Sequence, residues 1–270
     1  MEDPRFKLGT TSFIVPDHII PNVIKLGPFF DEIELLVFES RPREVLPSKR
    51  QIDELVALSI EYGLTYNVHL PVDVSLSFGS INAQKKAEQT LLEVLSLLKP
   101  LKATTHTLHL AMPSHIKAKA CKGQSINNWK NTLGHTLDDF LSQVDDPKKI
   151  SIETLDYPFS MIEDVIQERS LPICIDIGHG MKHGYNWMEI FEKDGARIPL
   201  VHLHGVDFLS HPFKDHQGLD KLPDEQLSQV ISFLKAYSGV VSLEVFNIEN
   251  LTLSLNLLAR HFKNIPAIGS

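Results

Sequence analysis

The chain has 270 residues, of which 43% are hydrophobic and 22% charged, with 14 Gly and 16 Pro. This composition is typical of one ordinary globular domain, which we expect to span residues 1–270, and it argues against a disordered or low-complexity protein. Since the formal charge is −8, the chain has no general positive field, and we do not expect long nucleic acid as a partner. A small phosphorylated substrate stays open, because bound metal ions dominate the field close to them.

No targeting or membrane segment stands out. The first residues carry no basic flank before an apolar run, and no later apolar run approaches the roughly 18 residues that a spanning helix needs. We therefore expect a cytoplasmic protein with no membrane partner. The only cysteines, Cys121 and Cys174, indicate neither a disulfide framework nor a thiolate metal site.

Short apolar runs alternate with longer amphipathic segments along the chain. The predicted strands are 7–13, 32–38, 65–70, 105–112, 149–155, 172–178, 198–204 and 239–246. The predicted helices are 18–26, 49–62, 80–99, 126–143, 160–169, 186–193, 223–237 and 249–261. Eight strand–helix repeats without a Pro/Gly-rich linker predict a single (β/α)8 TIM barrel of the α/β class. An open doubly wound sheet is the alternative, which the absence of a G-x-G-x-x-G turn after the first strand disfavours.

Polar and ionisable side chains stand near the carboxyl ends of the predicted strands. These residues are Ser12, Glu39, His69, His109, Glu153, Asp176, His202 and Glu244. Because the carboxyl ends of barrel strands converge on one mouth, we expect these side chains to be neighbours in space. A lone His in a strand is more often a core or surface residue, but burying the last six groups together without a metal would be costly. Imidazole and carboxylate ligands suit Zn, Mn, Fe or Co, so the sequence predicts two or three divalent metal ions per chain.

The two-residue alternation of a strand supports this interpretation. Small or polar residues precede five of the candidates by two positions and so share their face: Asn67, Thr107, Ser151, Cys174 and Ser242. The intervening apolar residues are expected to face the outer helices: Val68, Leu108, Ile152, Ile175 and Leu243. His106 falls on the opposite face from His109, and we expect it to be structural.

Further candidates lie in the segments that follow the strands. His179 comes three residues after Asp176, and the loop after strand seven carries Asp215 and His216. We expect three residues at the exits of strands six and seven to contact substrate: His183, Tyr185 and His204. The loop after strand four could bring His115, Lys117, Lys119 or Lys122 near a substrate phosphate, although a solvated Lys-rich loop is the interpretation that we favour.

The order of these candidates resembles that of the xylose isomerase-like barrel superfamily, which contains sugar isomerases and epimerases and also the metal-dependent phosphodiesterases of the endonuclease IV family. For a sugar isomerase, the resemblance implies a smaller ligand set, Glu153, Asp176, His202 and Glu244, with His179 at the substrate. The endonuclease IV pattern adds ligands that correspond here to His69, His109 and His216. The resemblance therefore implies a phosphodiesterase, with a sugar isomerase or epimerase as the alternative. That family has an Asp-x-His pair after strand seven, whereas Asp215 and His216 are adjacent, so the role of Asp215 stays open.

Two segments near the N-terminus carry a narrower resemblance. Gly-Thr-Thr-Ser-Phe-Ile-Val-Pro-Asp-His-Ile-Ile-Pro-Asn-Val and Glu-Ile-Glu-Leu-Leu-Val-Phe-Glu resemble the cobamide-remodelling phosphodiesterases of this superfamily. This resemblance implies hydrolysis of the nucleotide-loop phosphodiester of a cobamide, so the expected partner is a small phosphodiester such as a corrinoid. We expect Glu153 to bridge two cations, and we take Glu153, Glu244 and His179 as the candidate catalytic residues.

Overall fold

Eight parallel strands form a closed barrel surrounded by helices. The computed structural model describes residues 2–41, 45–117 and 123–268. The barrel strands are β1 (Lys7–Thr11), β2 (Glu32–Leu36), β3 (Thr65–His69), β4 (His106–Leu108), β5 (Ile150–Glu153), β6 (Ile173–Asp176), β7 (Leu200–Leu203) and β10 (Val240–Leu243). They are hydrogen-bonded in this order, and β10 pairs with β1 to close the barrel. The predicted (β/α)8 fold is confirmed.

The helices alternate with the strands along the chain. In the described residues they are α1 (Ile19–Leu26), α2 (Lys49–Tyr62), α3 (Ile81–Leu98), α4 (Ser114–Lys117), α5 (Gln124–Leu141), α6 (Glu163–Glu168), α7 (Ile177–His183), α8 (Trp187–Asp194), α9 (Asp224–Ala236) and α10 (Ile248–Leu258). Local chemistry fixes their ends. In α2, Ser48 and Gln51 form a reciprocal capping box, and Gly63 ends the helix with a left-handed φ of 68°. Within the described ranges, none of these helices combines the length and hydrophobicity needed to cross a bilayer.

Besides the short helix α4, a helix and a ribbon form where the sequence predicts no regular structure. Helix α7 begins immediately after β6, because the Asp176 carboxylate accepts a 2.6 Å hydrogen bond from the backbone N–H of His179. After β7, the strands β8 (Gly205–Asp207) and β9 (Lys214–Gln217) form a separate antiparallel ribbon. Both elements stand at the carboxyl ends of barrel strands, and so they help to build the mouth.

The parallel register decides which side chains share the interior of the barrel. Paired residues of neighbouring parallel strands lie on the same face, and these inward pairs include Thr11 with Glu34, Glu34 with Asn67, Glu153 with Cys174, Asp176 with His202, and His202 with Ser242. All of these side chains are buried. The predicted outward residues are buried as well: Val68, Leu108, Ile152, Ile175 and Leu243.

Two residues that we predicted at the mouth do not belong to it. Glu39 continues the alternation of Leu35 and Val37, which are buried on the outer face of β2, and Glu39 itself is exposed. Ser12 is buried, and its Oγ accepts a 3.0 Å hydrogen bond from the backbone N–H of Leu36. The prediction extended both strands two residues too far and assigned these two residues to the wrong face, and it was wrong for both.

Candidate metal centre

Three groups of ligand-type side chains meet at the carboxyl end of the barrel. Within each group, one ligand atom per residue lies within 4.8 Å of the others. The groups are His69, His109 and Glu153; Glu153, Asp176, His202 and Glu244; and His179, His204 and His216. Every residue that we predicted as a metal ligand thus lies in one of the three groups, and Glu153 belongs to two of them.

The two oxygens of Glu153 face different partners. Oε2 lies 3.1 Å from Nε2 of His69 and 2.7 Å from Nε2 of His109. Oε1 lies 3.6 Å from Nδ1 of His202 and 3.6 Å from Nδ1 of His179. A carboxylate with its oxygens divided in this way can bridge two cations. Glu153 holds this position because it ends β5, which lies between β4, before His109, and β6, before His179.

The second group lies deepest in the barrel. Nδ1 of His202 lies 3.3 Å from Oε2 of Glu244, 3.6 Å from Oε1 of Glu153 and 4.0 Å from Oδ2 of Asp176. All four side chains are buried, with exposed fractions of 4% or less. Three carboxylates around one imidazole form an oxygen-rich donor set with a single nitrogen.

The third group is built from α7, the end of β7 and the ribbon. We predicted His204 as a substrate contact, but it is fully buried, with Nε2 3.1 Å from Oδ1 of Asp176. The backbone N–H of His216 donates a 3.0 Å hydrogen bond to Nδ1 of His204, and His216 adopts a positive φ of 52°. Gly178 makes room for this packing, because a Cβ there would lie 2.0 Å from Cε1 of His204. His204 therefore belongs with the candidate ligands.

Burial and charge oppose each other throughout this cluster. Burial disfavours the charge of Glu153, but His109 and His202 beside it hold its pKa well below the ordinary value. Burial disfavours protonated His204, yet the neighbouring Asp176 raises its pKa to about 9. The carboxylates thus need positive charge around them, which either protonated imidazoles or bound cations can supply.

The described residues leave polar atoms of the cluster without aligned hydrogen-bond partners. These buried atoms are Nδ1 and Nε2 of His202, Nδ1 of His179 and Oε2 of Glu244. Orphaned buried donors and acceptors are costly, and all four atoms belong to residues of the second and third groups. Divalent cations fit this donor set, because they would satisfy the lone pairs and the negative charge together.

Sequence reasoning missed Glu34, which is fully buried in the barrel. Its Oε1 lies 2.9 Å from Nε2 of His202, and its Oε2 accepts a 2.6 Å hydrogen bond from Oγ of Ser242. The signal was present as the alternation of Glu32 and Glu34 with Ile33 and Leu35, which places two carboxylates on the inner face of β2.

The remaining predicted contacts lie around the rim. His183 is exposed and stacks on Tyr185, with the ring centroids 6.1 Å apart, and it lies 6.4 Å from the ring of His179. Asp215 lies outside the three groups, and its carboxylate accepts a hydrogen bond from Nζ of Lys182.

In the segment after β4, the ammonium group of Lys117 pairs with Asp156. Lys119, Cys121 and Lys122 lie outside the described residues, and so does the side chain of His115. The suggested phosphate contact of this segment therefore stays a prediction.

Comparison with known proteins agrees with the barrel fold. The model of the xylose isomerase-like TIM barrel family matches residues 22–264. A D-tagatose 3-epimerase-like protein is 19% identical, with a TM-score of 0.75 over 95% of this chain and 97% of its own. The IolI protein, solved with a bound zinc atom, is 14% identical, with a TM-score of 0.73 over 96% of this chain and 100% of its own. Endonuclease IV from Thermus thermophilus is 16% identical, with a TM-score of 0.69 over 94% of this chain and 99% of its own.

No curated protein sequence matches the chain. At such identities the structural likeness concerns the fold alone, whereas the family model covers most of the sequence. The chain belongs to the xylose isomerase-like TIM barrel family.

Proposed function

We propose that this protein is a metal-dependent phosphodiesterase that holds two or three divalent cations at the mouth of its barrel. One observation carries the proposal: the two oxygens of Glu153 face separate groups of candidate ligands. A centre for one cation would need only the second group, whereas this chain adds His69 and His109 on one side of Glu153 and the all-histidine group on the other. The extra groups favour a multinuclear centre over the mononuclear centre of a sugar isomerase.

Divalent cations in such a centre would neutralise the charge of a phosphodiester and lower the pKa of water, which supplies a nucleophile near neutral pH. The candidate ligands differ in how deeply they are buried, and so we expect them to have different roles. His202, Asp176 and Glu244 lie too deep to touch a substrate and would hold a cation. His109, His179 and His216 are 24%, 17% and 22% exposed, so a substrate would approach the centre along these three rings.

We propose the nucleotide-loop phosphodiester of a cobamide as the substrate bond. The support is the resemblance of the segments that contain β1 and β2 to cobamide-remodelling enzymes, together with the ligand groups of the mouth. Hydrolysis would add water across the bond between phosphorus and the ribose oxygen, releasing the nucleoside and leaving the phosphate on the cobinamide.

The direct test is to incubate the purified, metal-loaded protein with a complete cobamide and to separate the products by chromatography and mass spectrometry. We expect the lower-ligand nucleoside and a phosphorylated cobinamide. If the corrinoid stays intact while a ketose or inosose is isomerised under the same conditions, the protein is a sugar isomerase and the proposal is wrong.

Duplex DNA is a second phosphodiester substrate on which the proposal can be tested. With a net charge of −8, the chain has little means of holding a long phosphate backbone. Two lysines at the rim, Lys117 and Lys182, are already paired with Asp156 and Asp215. We therefore expect poor cleavage of abasic duplex DNA, and efficient, salt-sensitive nicking would contradict the choice of a small substrate.

A further inference from the structure

Three phenylalanines stand above the inner face of three neighbouring strands. Phe13 follows Thr11 of β1 by two residues, Phe38 follows Leu36 of β2 by two residues, and Phe246 follows Glu244 by two residues after β10. Strands β10, β1 and β2 are adjacent in the barrel. Because alternate residues share a face, the alternation directs all three rings to the mouth. We call Phe13, Phe38 and Phe246 the aromatic wall.

The rings of the wall touch one another and the candidate metal centre. Phe246 lies 6.3 Å from Phe13 and 6.0 Å from Phe38 between ring centroids, with interplanar angles of 73° and 89°. Phe246 also lies 4.6 Å from the ring of His216, and Phe38 lies 5.5 Å from the ring of His69. The wall is therefore continuous with the first and third ligand groups.

The wall is apolar surface left open to solvent beside a strongly polar site. Phe13 is 50% exposed, while Phe38 and Phe246 are partly exposed. Val72, which is 44% exposed and whose N–H donates to the carbonyl of Phe38, extends the same surface. Core packing does not require a half-exposed Phe, and an apolar patch next to a polar pocket is a common mark of ligand binding.

The shape of the wall selects the kind of group that it can bind. An edge-to-face pair covers one face of only one of its two rings, and the 50% exposure of Phe13 leaves open ring surface on which a flat aromatic ring can stack. A planar aromatic ring is apolar across its whole face, whereas a sugar offers only its C–H face and must keep its hydroxyls hydrogen-bonded. The wall thus suits a planar aromatic ring better than the open-chain, fully hydroxylated substrate of a sugar isomerase.

We propose that the aromatic wall binds a planar aromatic heterocycle that is attached to the scissile phosphodiester, so that the phosphate reaches the ligand groups while the ring stacks on Phe13 and Phe246. This assignment rests on the proposed phosphodiesterase function and deepens it. The wall contributes binding and position, and the ligand groups contribute the chemistry.

The binding test uses two probes that differ only in the ring. Benzimidazole riboside and methyl riboside are titrated into the metal-loaded protein, and binding is measured by equilibrium dialysis. We expect the benzimidazole riboside to bind more tightly, and we expect Phe13→Ala or Phe246→Ala to weaken its binding about tenfold, the order that stacking supplies per base. Phe13→Trp should retain the binding. Phe29→Ala is the matched control, because Phe29 is 42% exposed but precedes β2 at the opposite end of the barrel.

The kinetic test uses two esters with the same leaving group, p-nitrophenyl thymidine 5′-phosphate and p-nitrophenyl methyl phosphate. We expect kcat/KM to be about ten times higher for the thymidine ester, mostly through KM, and we expect Phe13→Ala to remove most of this preference while Phe29→Ala keeps it.

The two proposals fail in different ways. If both esters are hydrolysed but neither Phe13→Ala nor Phe246→Ala changes the preference or the binding, the assignment of the wall is wrong and the phosphodiesterase stands. If the benzimidazole riboside binds in a Phe13-dependent way but no phosphodiester is cleaved, the proposed function is wrong and the ring-binding surface stands. If the unmodified protein binds the two ribosides equally tightly, the assignment of the aromatic wall is also wrong.

Discussion

Oε1 of Glu34 lies 2.9 Å from Nε2 of His202, inside the barrel, where both side chains are fully buried. The other ring nitrogen of His202, Nδ1, faces Glu153 and Glu244. A carboxylate on one side of an imidazole fixes the ring and increases the basicity of the nitrogen on the other side. Glu34 is therefore placed to orient His202 toward the cation that the second group would hold.

Replacing Glu34 tests this relationship. We expect Glu34→Gln to fold normally and to bind the deepest cation about ten- to a hundredfold more weakly, the usual effect of losing such a partner. Competition with a chromophoric chelator measures the affinity, and circular dichroism monitors the fold. Glu39→Gln is the matched control, since Glu39 is exposed on the outer side of β2 and should bind metal as the unmodified protein does. Unchanged affinity in a folded Glu34→Gln protein would reduce Glu34 to a packing role.

The first ligand group predicts the metal stoichiometry. We expect elemental analysis of the purified protein to find more than one divalent cation per chain, and His109→Ala to remove about one of them. His109 is 24% exposed at the top of the barrel, apart from its packed layers, so the variant should keep its fold. A stoichiometry of one or zero in the unmodified protein would contradict the multinuclear centre, and unchanged content in His109→Ala would assign this residue elsewhere.

Glu153 is the residue on which the proposed chemistry depends most. Glu153→Gln keeps the shape of the side chain but removes the charge that lies between two groups, so we expect phosphodiester turnover to fall by about two orders of magnitude or more. The circular dichroism spectrum should not change. Asp138→Asn serves as a control for charge alone, because Asp138 of α5 pairs with Arg169 away from the groups, and we expect it to leave the metal content unaltered.

His106 makes a prediction about stability that does not involve the mouth. It lies on the outer face of β4, as predicted, and burial together with Lys149 lowers its pKa from 6.5 to about 4. Its stability contribution is complete above pH 6.5 and is lost as pH falls, because the unfolded chain takes up the proton first. From the two pKa values, this loss is about 2 kcal/mol by pH 5.

Urea unfolding between pH 7.5 and pH 5, with a chelator present throughout, measures this loss. The free energy of unfolding of His106→Gln should fall less steeply with pH than that of the unmodified protein. If the free energy of unfolding falls equally steeply with pH in both proteins, His106 does not make the predicted contribution to stability.

The period of two in the strands explains why most of the centre could be predicted. His69, Glu153 and Asp176 each end an apolar strand and follow a small or polar residue by two positions, so the barrel geometry brings them together. If the alternation of β2 is counted from Glu32, Glu34 falls on the inner face of the barrel and Glu39 falls on the outer face. The prediction was wrong at β2 because the strand ends at Leu36, two residues before Phe38, the last apolar residue of the run.

Other parts of the site depend on contacts that no local pattern encodes. Gly178 and Gly180 are typical of a loop, and so the sequence predicts no helix after β6. The segment is nevertheless helical, because Asp176 caps it and Gly178 leaves room for the ring of His204. The ribbon of β8 and β9 likewise depends on pairing between residues about ten positions apart, with a register irregularity between Gly205 and Asp207. Such tertiary requirements override local propensity.

The three ligand groups are anchored with different strength. Glu153 and Asp176 end strands that have a hydrogen-bonded neighbour on each side, whereas His216 lies on a ribbon strand with a single partner. Local opening costs less free energy where fewer backbone hydrogen bonds must break. We therefore expect a chelator to remove a cation held by the all-histidine group before a cation held beside Glu153 and Asp176.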